Sequence, residues 1–273
     1  MSLKYKSRRI PQIYDVRKLI CDGVDEHGRP IRAFETLEEA KRESDHRSRV
    51  LARHGSNDLA DTLARCRKND RCGSMACPMC SRIRRINTAC SVLQFLDGYD
   101  EDALSFVTLI NPDDALPAGR LNEIVPKRFL ARTRRQLLRL GFDKAQWFAL
   151  AYFDCEWDEG WRLFQPHIHL VAFDVPASFW DRLVERHFGS HERVRVRKRA
   201  EPITSLPRTS NYLDKAFWLE KVRSGNPRDL KPRRPKRIGF PISIEVYEWL
   251  DRQSDCDLRC YIGAKSYRRM IMK

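Results

Sequence analysis

The sequence predicts an α+β fold in which a ferredoxin-like antiparallel sheet follows a cysteine-rich helical module at the N-terminus. Residues 104–222 alternate between strand-like and helix-like patterns in the order β, α, β, β, α, β, α. This order is the βαββαβ plan with one more helix after it. Four cysteines within fifteen residues, just ahead of that region, indicate a small metal-bound module.

The chain of 273 residues is long enough for one sizeable core and a smaller appended module. We expect residues 1–98 to form a helical N-terminal region, with the cysteine module at about 66–80. Residues 99–222 are predicted to form the sheet domain. Residues 223–273 are predicted to form a basic linker and a small helical C-terminal piece, because they begin with a run rich in proline, arginine and lysine.

The N-terminal region is polar and has few large apolar residues. Residues 36–65 predict two short helices that are interrupted at Gly55 and Ser56. The stretch "SRIRRINTACSVLQFLDGYD", which follows the cysteines, predicts a helix that ends near Gly98.

The sheet domain begins with "ALSFVTLINP", which predicts a strand over about 104–110 that ends at the Asn-Pro pair. A helix with an arginine-rich outer face follows over 121–142. Residues 146–175 predict a β-hairpin around an Asp-Glu-Gly turn. The remaining segments are "PASFWDRLVERHF" as a helix to about 188, "ERVRVRKRA" as a half-buried strand, and "SLPRTSNYLDKAFWLEKV" as a helix.

The charge balance is strongly basic, with 52 Lys and Arg against 37 Asp and Glu and a net charge of +15. This predicts a protein that meets phosphate backbones, with a merely solvated basic surface as the alternative. No run approaches the ~18 apolar residues of a membrane span. The basic N-terminus also lacks a following apolar region of about 7 to 15 residues, so we expect no secretory signal, no membrane partner and a cytoplasmic location.

The stretch "QPHIHLVAFD" places two histidines in a predicted strand. His167 and His169 are two residues apart, so their side chains project from the same face and can bind a divalent cation. The opposing strand offers Asp154 and Glu156 as further ligands, which we favour over Glu159 in the turn. The alternative is a pair of buried histidines whose ring nitrogens bond to backbone or water.

A tyrosine and a lysine follow the histidines on a predicted helix. Tyr212 and Lys215 are three residues apart, so they lie on one side of that helix. A tyrosine hydroxyl has a pKa of about 10 and is a poor nucleophile unless a Lewis acid activates the phosphorus it attacks. The alternative is a core tyrosine beside a surface lysine.

Taken together, "SFVTLINP", "QPHIHLVAFD" and "SNYLDK" resemble the three motifs of the HUH endonucleases that start rolling-circle DNA replication, the Rep proteins. The resemblance covers roughly residues 104–222. It implies that His167 and His169 bind Mg²⁺ or Mn²⁺ and that Tyr212 attacks a DNA phosphate. It further implies that the 5′ end stays joined to this tyrosine, with Lys215 as its cationic neighbour. Arg208 stands four residues before the tyrosine, so the resemblance is to single-tyrosine enzymes.

The same resemblance implies the partners of the reaction. The substrate would be single-stranded or hairpin origin DNA of a plasmid, phage or related mobile element in a bacterial host cell, and a separate helicase and polymerase would act with the protein. The sequence contains no phosphate-binding loop of the G-x-x-x-x-G-K-[ST] type, so we expect no nucleotide cofactor. The alternatives are an HUH transposase or relaxase with the same chemistry, and a nonenzymatic zinc-containing DNA-binding regulator.

The cysteine group spans "CRKNDRCGSMACPMC" and contains Cys66, Cys72, Cys77 and Cys80. The closing C-x2-C pair and the total of four thiolates predict a structural Zn²⁺ site. An iron–sulfur cluster and four unrelated reduced cysteines are the alternatives. Basic residues surround the group and are candidates for phosphate contacts or for a solvated face: Arg65, Arg67, Lys68, Arg71, Arg82, Arg84 and Arg85.

Overall fold

A computed structural model of the chain describes residues 35–96, 103–187, 201–202, 209, 213, 218–221 and 236–263. Within these ranges the fold is α+β, with six bounded helices against one sheet. The helices are α1 (Leu37–Arg53), α2 (Asn57–Arg65), α3 (Pro78–Leu96), α4 (Pro126–Arg139), α5 (Ala177–His187) and α6 (Ile242–Asp251). The strands are β1 (Leu104–Ile110), β2 (Leu116–Pro117), β3 (Phe148–Asp158), β4 (Leu163–Phe173), β5 (Glu201–Pro202), β6 (Leu219–Lys221), β7 (Lys236–Arg237) and β8 (Arg259–Ile262).

The sheet is built around β4, which pairs antiparallel with β1 on one side and with β3 on the other. The strand order is β5-β1-β4-β3-β6-β7, with β2 paired to β4 and β8 paired to β3. The one parallel pairing among the described strands joins β3 to β6. β4 is therefore a central strand, hydrogen-bonded along its length to β1 on one side and to β3 on the other.

The two faces of the sheet are covered by different helices. Residues with even numbers on β4, such as Ile168 and Leu170, belong to the first core, which also contains α4 and α5 side chains. Val171 points the other way into a second core formed with α3 and Leu213. Because side chains alternate along a strand, the odd-numbered histidines of β4 lie on the face of this second core.

The N-terminal region forms the two predicted helices, interrupted at Gly55, whose φ of +86° favours glycine. A capping box between Thr36 and Glu39 starts α1. Inside α1, Arg47 is 1% exposed and donates to the carboxylate of Glu43 and to the carbonyl of Ala76. This buried guanidinium ties α1 to the backbone of the cysteine-rich loop.

Several predicted elements are confirmed. β1 covers the predicted residues and the β3–β4 hairpin forms. α3 and α5 are helical as far as Leu96 and His187, the last described residues before their predicted ends. The helix predicted over 121–142 starts later, because a separate 3₁₀ turn at Leu121–Glu123 precedes Pro126. Proline fixes φ and has no N–H to donate, so it suits the first helical turn.

Three short strands stand where the sequence predicted other structure. β6 replaces the end of the helix predicted to run to 222, and β7 lies within the segment predicted to be a linker. β8 replaces part of the predicted helical C-terminal piece, because it pairs with β3 and completes that edge of the sheet. The predicted strand over 192–200, Tyr212 and Lys215 lie outside the described residues.

Within the described part of the chain, no helix is both long enough and apolar enough to cross a membrane.

Candidate metal centres

The hairpin brings three metal-ligating side chains to one point on the second face of the sheet. In the antiparallel register, Asp154 of β3 lies opposite His167 of β4. Oδ2 of Asp154 is 3.1 Å from Nε2 of each histidine. The two Nε2 atoms are 3.2 Å apart. Three ligand atoms of the kinds that bind divalent cations therefore form a nearly equilateral triangle.

The size of this triangle fits one bound ion. A cation about 2.1 Å from each ligand holds its neighbouring ligands about 3.0 Å apart in octahedral geometry and about 3.4 Å apart in tetrahedral geometry. The observed separations of 3.1 and 3.2 Å fall between these values. The triangle accordingly fits Mg²⁺, Mn²⁺ or Zn²⁺ and does not by itself select one of them.

Burial also distinguishes this group from an ordinary surface cluster. Asp154, His167 and His169 are 4%, 4% and 2% exposed, so water cannot solvate the carboxylate charge freely. A buried carboxylate needs a compensating partner. Its Oδ1 accepts from the backbone N–H of Cys155 at 2.8 Å, which leaves Oδ2 directed at the two imidazoles.

Groups behind the histidines orient both rings. Nδ1 of His167 is 3.1 Å from the carbonyl oxygen of Gln165, and a carbonyl can only accept, so Nδ1 carries a hydrogen and the neutral ring presents the lone pair of Nε2. Nδ1 of His169 is 2.9 Å from the hydroxyl of Thr108 on β1. Partners of this kind fix the tautomer and orientation of metal-binding histidines.

Glu156 and Glu159, the other two carboxylates considered as ligands, are placed differently. Glu156 shares a face with Asp154 and lies opposite Gln165, but its carboxylate is not among the three converging ligand atoms. Glu159 accepts from the indole N–H of Trp157 at 2.6 Å, beyond the end of β3. Of the three candidates, only Asp154 reaches the histidines within the described structure.

The sequence reasoning missed Thr108 as part of this centre. Thr108 lies directly opposite His169 in the β1–β4 register. The signal was present in the polar residue within the otherwise apolar run "SFVTLI", which places a hydroxyl on the same face as the histidines once the register is known.

The described residue nearest in sequence to Tyr212 is Leu213. Leu213 is helical and 2% exposed. It belongs to the second core, together with Leu150, Tyr152 and Val171. Leu213, which is next to the predicted nucleophile in the sequence, therefore packs on the face of the sheet that carries the histidines.

The four cysteines of the N-terminal module converge on a second point. The sulfurs of Cys66, Cys72, Cys77 and Cys80 all lie within 4.8 Å of one another. Sγ of Cys80 is 3.6 Å from that of Cys66 and 3.7 Å from that of Cys72. Tetrahedral zinc with Zn–S bonds of about 2.3 Å requires S–S separations of about 3.8 Å. The four thiols thus form a group that could bind a metal such as zinc.

Local structure explains how these sulfurs meet. Cys80 stands in the first turn of α3, and Gly73 turns the loop before it with a φ of +77°. Hydrogen bonding from Cys77 lowers the pKa of the Cys80 thiol to about 5, whereas burial raises that of Cys72 to about 12. The cluster therefore favours one thiolate without a metal, and additional thiolates require a cation to offset their mutual repulsion.

The basic residues around the cysteines divide into two groups. Arg82 donates to the backbone of Glu35, Arg85 pairs with the Glu35 carboxylate, and Arg84 pairs with Asp255 at 3.5 Å. Arg65, Arg67 and Lys68 are exposed, whereas Arg71 is half-buried. The arginines of α3 therefore contact groups distant in the sequence. Arg65, Arg67 and Arg71 donate to carbonyls close to them in the sequence and remain candidates for phosphate contacts.

Comparison with known proteins gives no relative: no family model, no curated protein and no solved structure matches the chain.

Proposed function

We propose that this protein is a metal-dependent endonuclease of the HUH type that nicks and rejoins single-stranded DNA to initiate rolling-circle replication. The observation that carries the proposal is the convergence of Asp154, His167 and His169 on the central strands of the sheet. A strand-borne H-x-H pair with a carboxylate opposite it has the ligand types and spacing that a nuclease cation needs.

The strand order supports the same reading. β1, β3, β4 and β5 correspond to the first to fourth strands of the βαββαβ plan. Their order in the sheet is β5-β1-β4-β3, with antiparallel neighbours, as in ferredoxin-like folds. Helices α4 and α5 connect these strands on the face opposite the histidines, which leaves the metal ligands free of the crossover helices.

Bound Mg²⁺ or Mn²⁺ would supply Lewis acid chemistry, polarising a non-bridging oxygen of the scissile phosphate. In the proposed step, the hydroxyl oxygen of Tyr212 forms a bond to phosphorus while the bond to the 3′-oxygen breaks. The phenolic proton passes to the departing 3′-oxygen, which leaves as the 3′-hydroxyl, and Lys215 balances the negative charge on the phosphate. The phosphotyrosyl bond conserves the energy of the phosphodiester, so rejoining requires no nucleotide.

The position of Leu213 supports Tyr212 as the nucleophile, because Leu213 follows Tyr212 in the chain and packs on the face of the sheet that carries the histidines. The chain offers a second tyrosine as a comparison. Tyr152 is described, buried and directly opposite His169 in the register. The two tyrosines can therefore be separated by experiment.

The test uses the full chain with Mn²⁺ and an origin-like single-stranded oligonucleotide labelled at its 3′ end, because the fragment on the 3′ side of the nick stays joined to the tyrosine. Wild type and Tyr152→Phe should form a covalent adduct that survives denaturing electrophoresis, whereas Tyr212→Phe should form none. An adduct that persists in Tyr212→Phe and disappears in Tyr152→Phe would overturn the assignment of the nucleophile. EDTA and His167→Ala should each abolish the adduct, and activity in EDTA would contradict the metal requirement.

Adduct formation does not distinguish replication initiation from transposition or conjugative transfer, which share the chemistry. A relaxase is disfavoured because the predicted tyrosine follows the histidines in the chain, whereas relaxases place it before them. If wild type binds DNA and never forms an adduct, the protein is instead a zinc-containing DNA-binding regulator. Under the leading proposal a separate helicase opens the duplex and a polymerase extends the 3′-hydroxyl.

A further inference from the structure

Helix α4 carries a continuous row of arginines on its outer side. Arg128, Arg132, Arg135 and Arg139 occur at positions i, i+4, i+7 and i+11, so they stack along one line of the helix. The opposite line is buried: Leu130, Thr133 and Leu137 are at most 3% exposed. At 1.5 Å per residue, the arginine row extends about 16 Å.

Few acidic groups neutralise this helix. Its sequence, "PKRFLARTRRQLLR", contains six basic residues and no acidic one. Lys127 pairs with Asp257 at 2.5 Å, and Arg132 donates to Asp114 at 2.9 Å. Among the described residues, no carboxylate pairs with the other four cations of the helix, which are all exposed: Arg128, Arg134, Arg135 and Arg139.

The row lies on the far side of the sheet from the candidate metal centre. Leu130 and Leu137 anchor α4 in the first core, against the face of β3 that carries Phe153. Asp154 and the histidines project from the other face. A strand bound at the metal centre is therefore separated from the arginine row by the sheet and by the body of α4.

We propose that the α4 arginine row is a second nucleic-acid surface, which binds the phosphate backbone of duplex DNA. A row of cations about 5.4 Å apart, on a convex helix, matches the continuous negative charge of a duplex. Single-stranded DNA is normally bound on exposed aromatic rings. The aromatic residue of this surface, Phe129, is half-buried, and the Arg132 guanidinium lies 5.0 Å over its ring.

This inference goes beyond the proposed nicking activity and does not depend on it, because duplex binding requires neither the metal nor the tyrosine. In a protein that also nicks, the surface would hold duplex DNA on the side of the sheet opposite the nicked strand. Phosphate contacts give affinity without sequence information, so the surface is expected to bind duplexes of unrelated sequence with similar strength.

The experiment measures binding of the full-length protein to a blunt 20-base-pair duplex in EDTA over a range of salt concentrations. The variant Arg128→Gln/Arg135→Gln/Arg139→Gln removes three cations from the row. The control Arg42→Gln/Arg49→Gln/Arg53→Gln removes three exposed cations from α1, where Glu38, Glu39 and Asp45 give a mixed surface. Both variants change the net charge by the same amount.

The logarithm of the binding constant falls linearly with the logarithm of the salt concentration, with a slope of about −0.9 for each phosphate contact. Losing three contacts should therefore make this slope shallower by about 2.7. Between 50 and 200 mM salt, the wild type should therefore lose about 40-fold more affinity than the α4 variant does. The control should keep the wild-type slope. Equal losses in both variants, or an unchanged slope in the α4 variant, would overturn the proposal.

Two further measurements identify the occupant and keep the two proposals separate. If the α4 variant loses binding to phosphatidylserine vesicles but keeps duplex binding, the surface meets membranes and the proposal fails. The α4 variant should still form the covalent adduct with a short single strand. If the wild type forms no adduct but shows the slope difference, the nicking proposal fails and the duplex surface stands.

Discussion

The hydroxyl of Thr108 lies 2.9 Å from Nδ1 of His169, across the β1–β4 pairing. This contact joins β1, whose sequence is "LSFVTLI", to the histidine pair on β4, and it explains why a polar residue interrupts the apolar run. With Nδ1 as donor to the threonine oxygen, Nε2 of His169 is held as a lone-pair ligand towards Asp154.

We therefore expect Thr108→Val to weaken metal binding. Valine keeps the branched shape but leaves Nδ1 of His169 without its partner, and the loss of such a partner typically costs about 10- to 100-fold in metal affinity. Thr108→Ser retains the hydroxyl and should stay close to wild type. Calorimetric titration with Mn²⁺ measures both, and equal affinities for the valine and serine variants would show that the contact does not orient the ring.

The choice between two carboxylates gives a second prediction. Asp154→Ala should remove Mn²⁺ binding, because Oδ2 of Asp154 is the oxygen within 3.1 Å of both histidines. Glu156→Ala should reduce affinity much less, since its carboxylate stands outside the converging group. The same titration distinguishes the two, with circular dichroism as the control for folding. If Glu156→Ala lowers the Mn²⁺ affinity more than Asp154→Ala does, Glu156 and not Asp154 is the third ligand.

The cysteine group predicts how the protein responds to metal removal. Cys77→Ala should lower the zinc content of the purified protein from about one ion per chain towards zero and should lower the Tm, because three sulfurs cannot complete the tetrahedral site. Cys90→Ala is the matched control: Cys90 is also a buried thiol of this region, 4% exposed, but lies in the second core. Elemental analysis that finds zinc lost equally from both variants would contradict the assignment.

Local sequence patterns were sufficient to predict the elements that carry the two candidate metal centres. The alternation of "SFVTLI" and the long apolar run on both sides of the Asp-Glu-Gly turn predict β1 and the hairpin, because buried strands and turns have strong local signals. The positions of His167 and His169 on one face follow from strand geometry alone. The turn length decides whether Asp154 or Glu156 reaches them, and the sequence does not fix that length.

The short strands that the sequence did not predict depend instead on pairing with distant parts of the chain. β6 and β8 contain three and four residues, too few for a periodic pattern to appear. Arg259 and Tyr261 are strand residues because β3 offers them an open edge to pair with. Such pairing between residues over a hundred positions apart leaves no trace in a local window. Tyr212 and Lys215 stay predictions, since they lie outside the described residues.

The pairing of β8 with β3 also predicts how stability responds to alkaline pH. Tyr261 lies opposite Leu150 in this pairing, and burial raises the pKa of its phenol to about 12 from an ordinary value of 10. Between pH 10 and 12 the unfolded chain loses this proton while the folded chain keeps it, so the free energy of unfolding falls as the pH rises. Tyr261→Phe removes the proton and should make the decline in Tm between pH 10 and 12 shallower than in wild type. An identical decline in both proteins would mean that the phenol is as accessible in the folded chain as in the unfolded one, which is incompatible with β8 packed against the edge of the sheet.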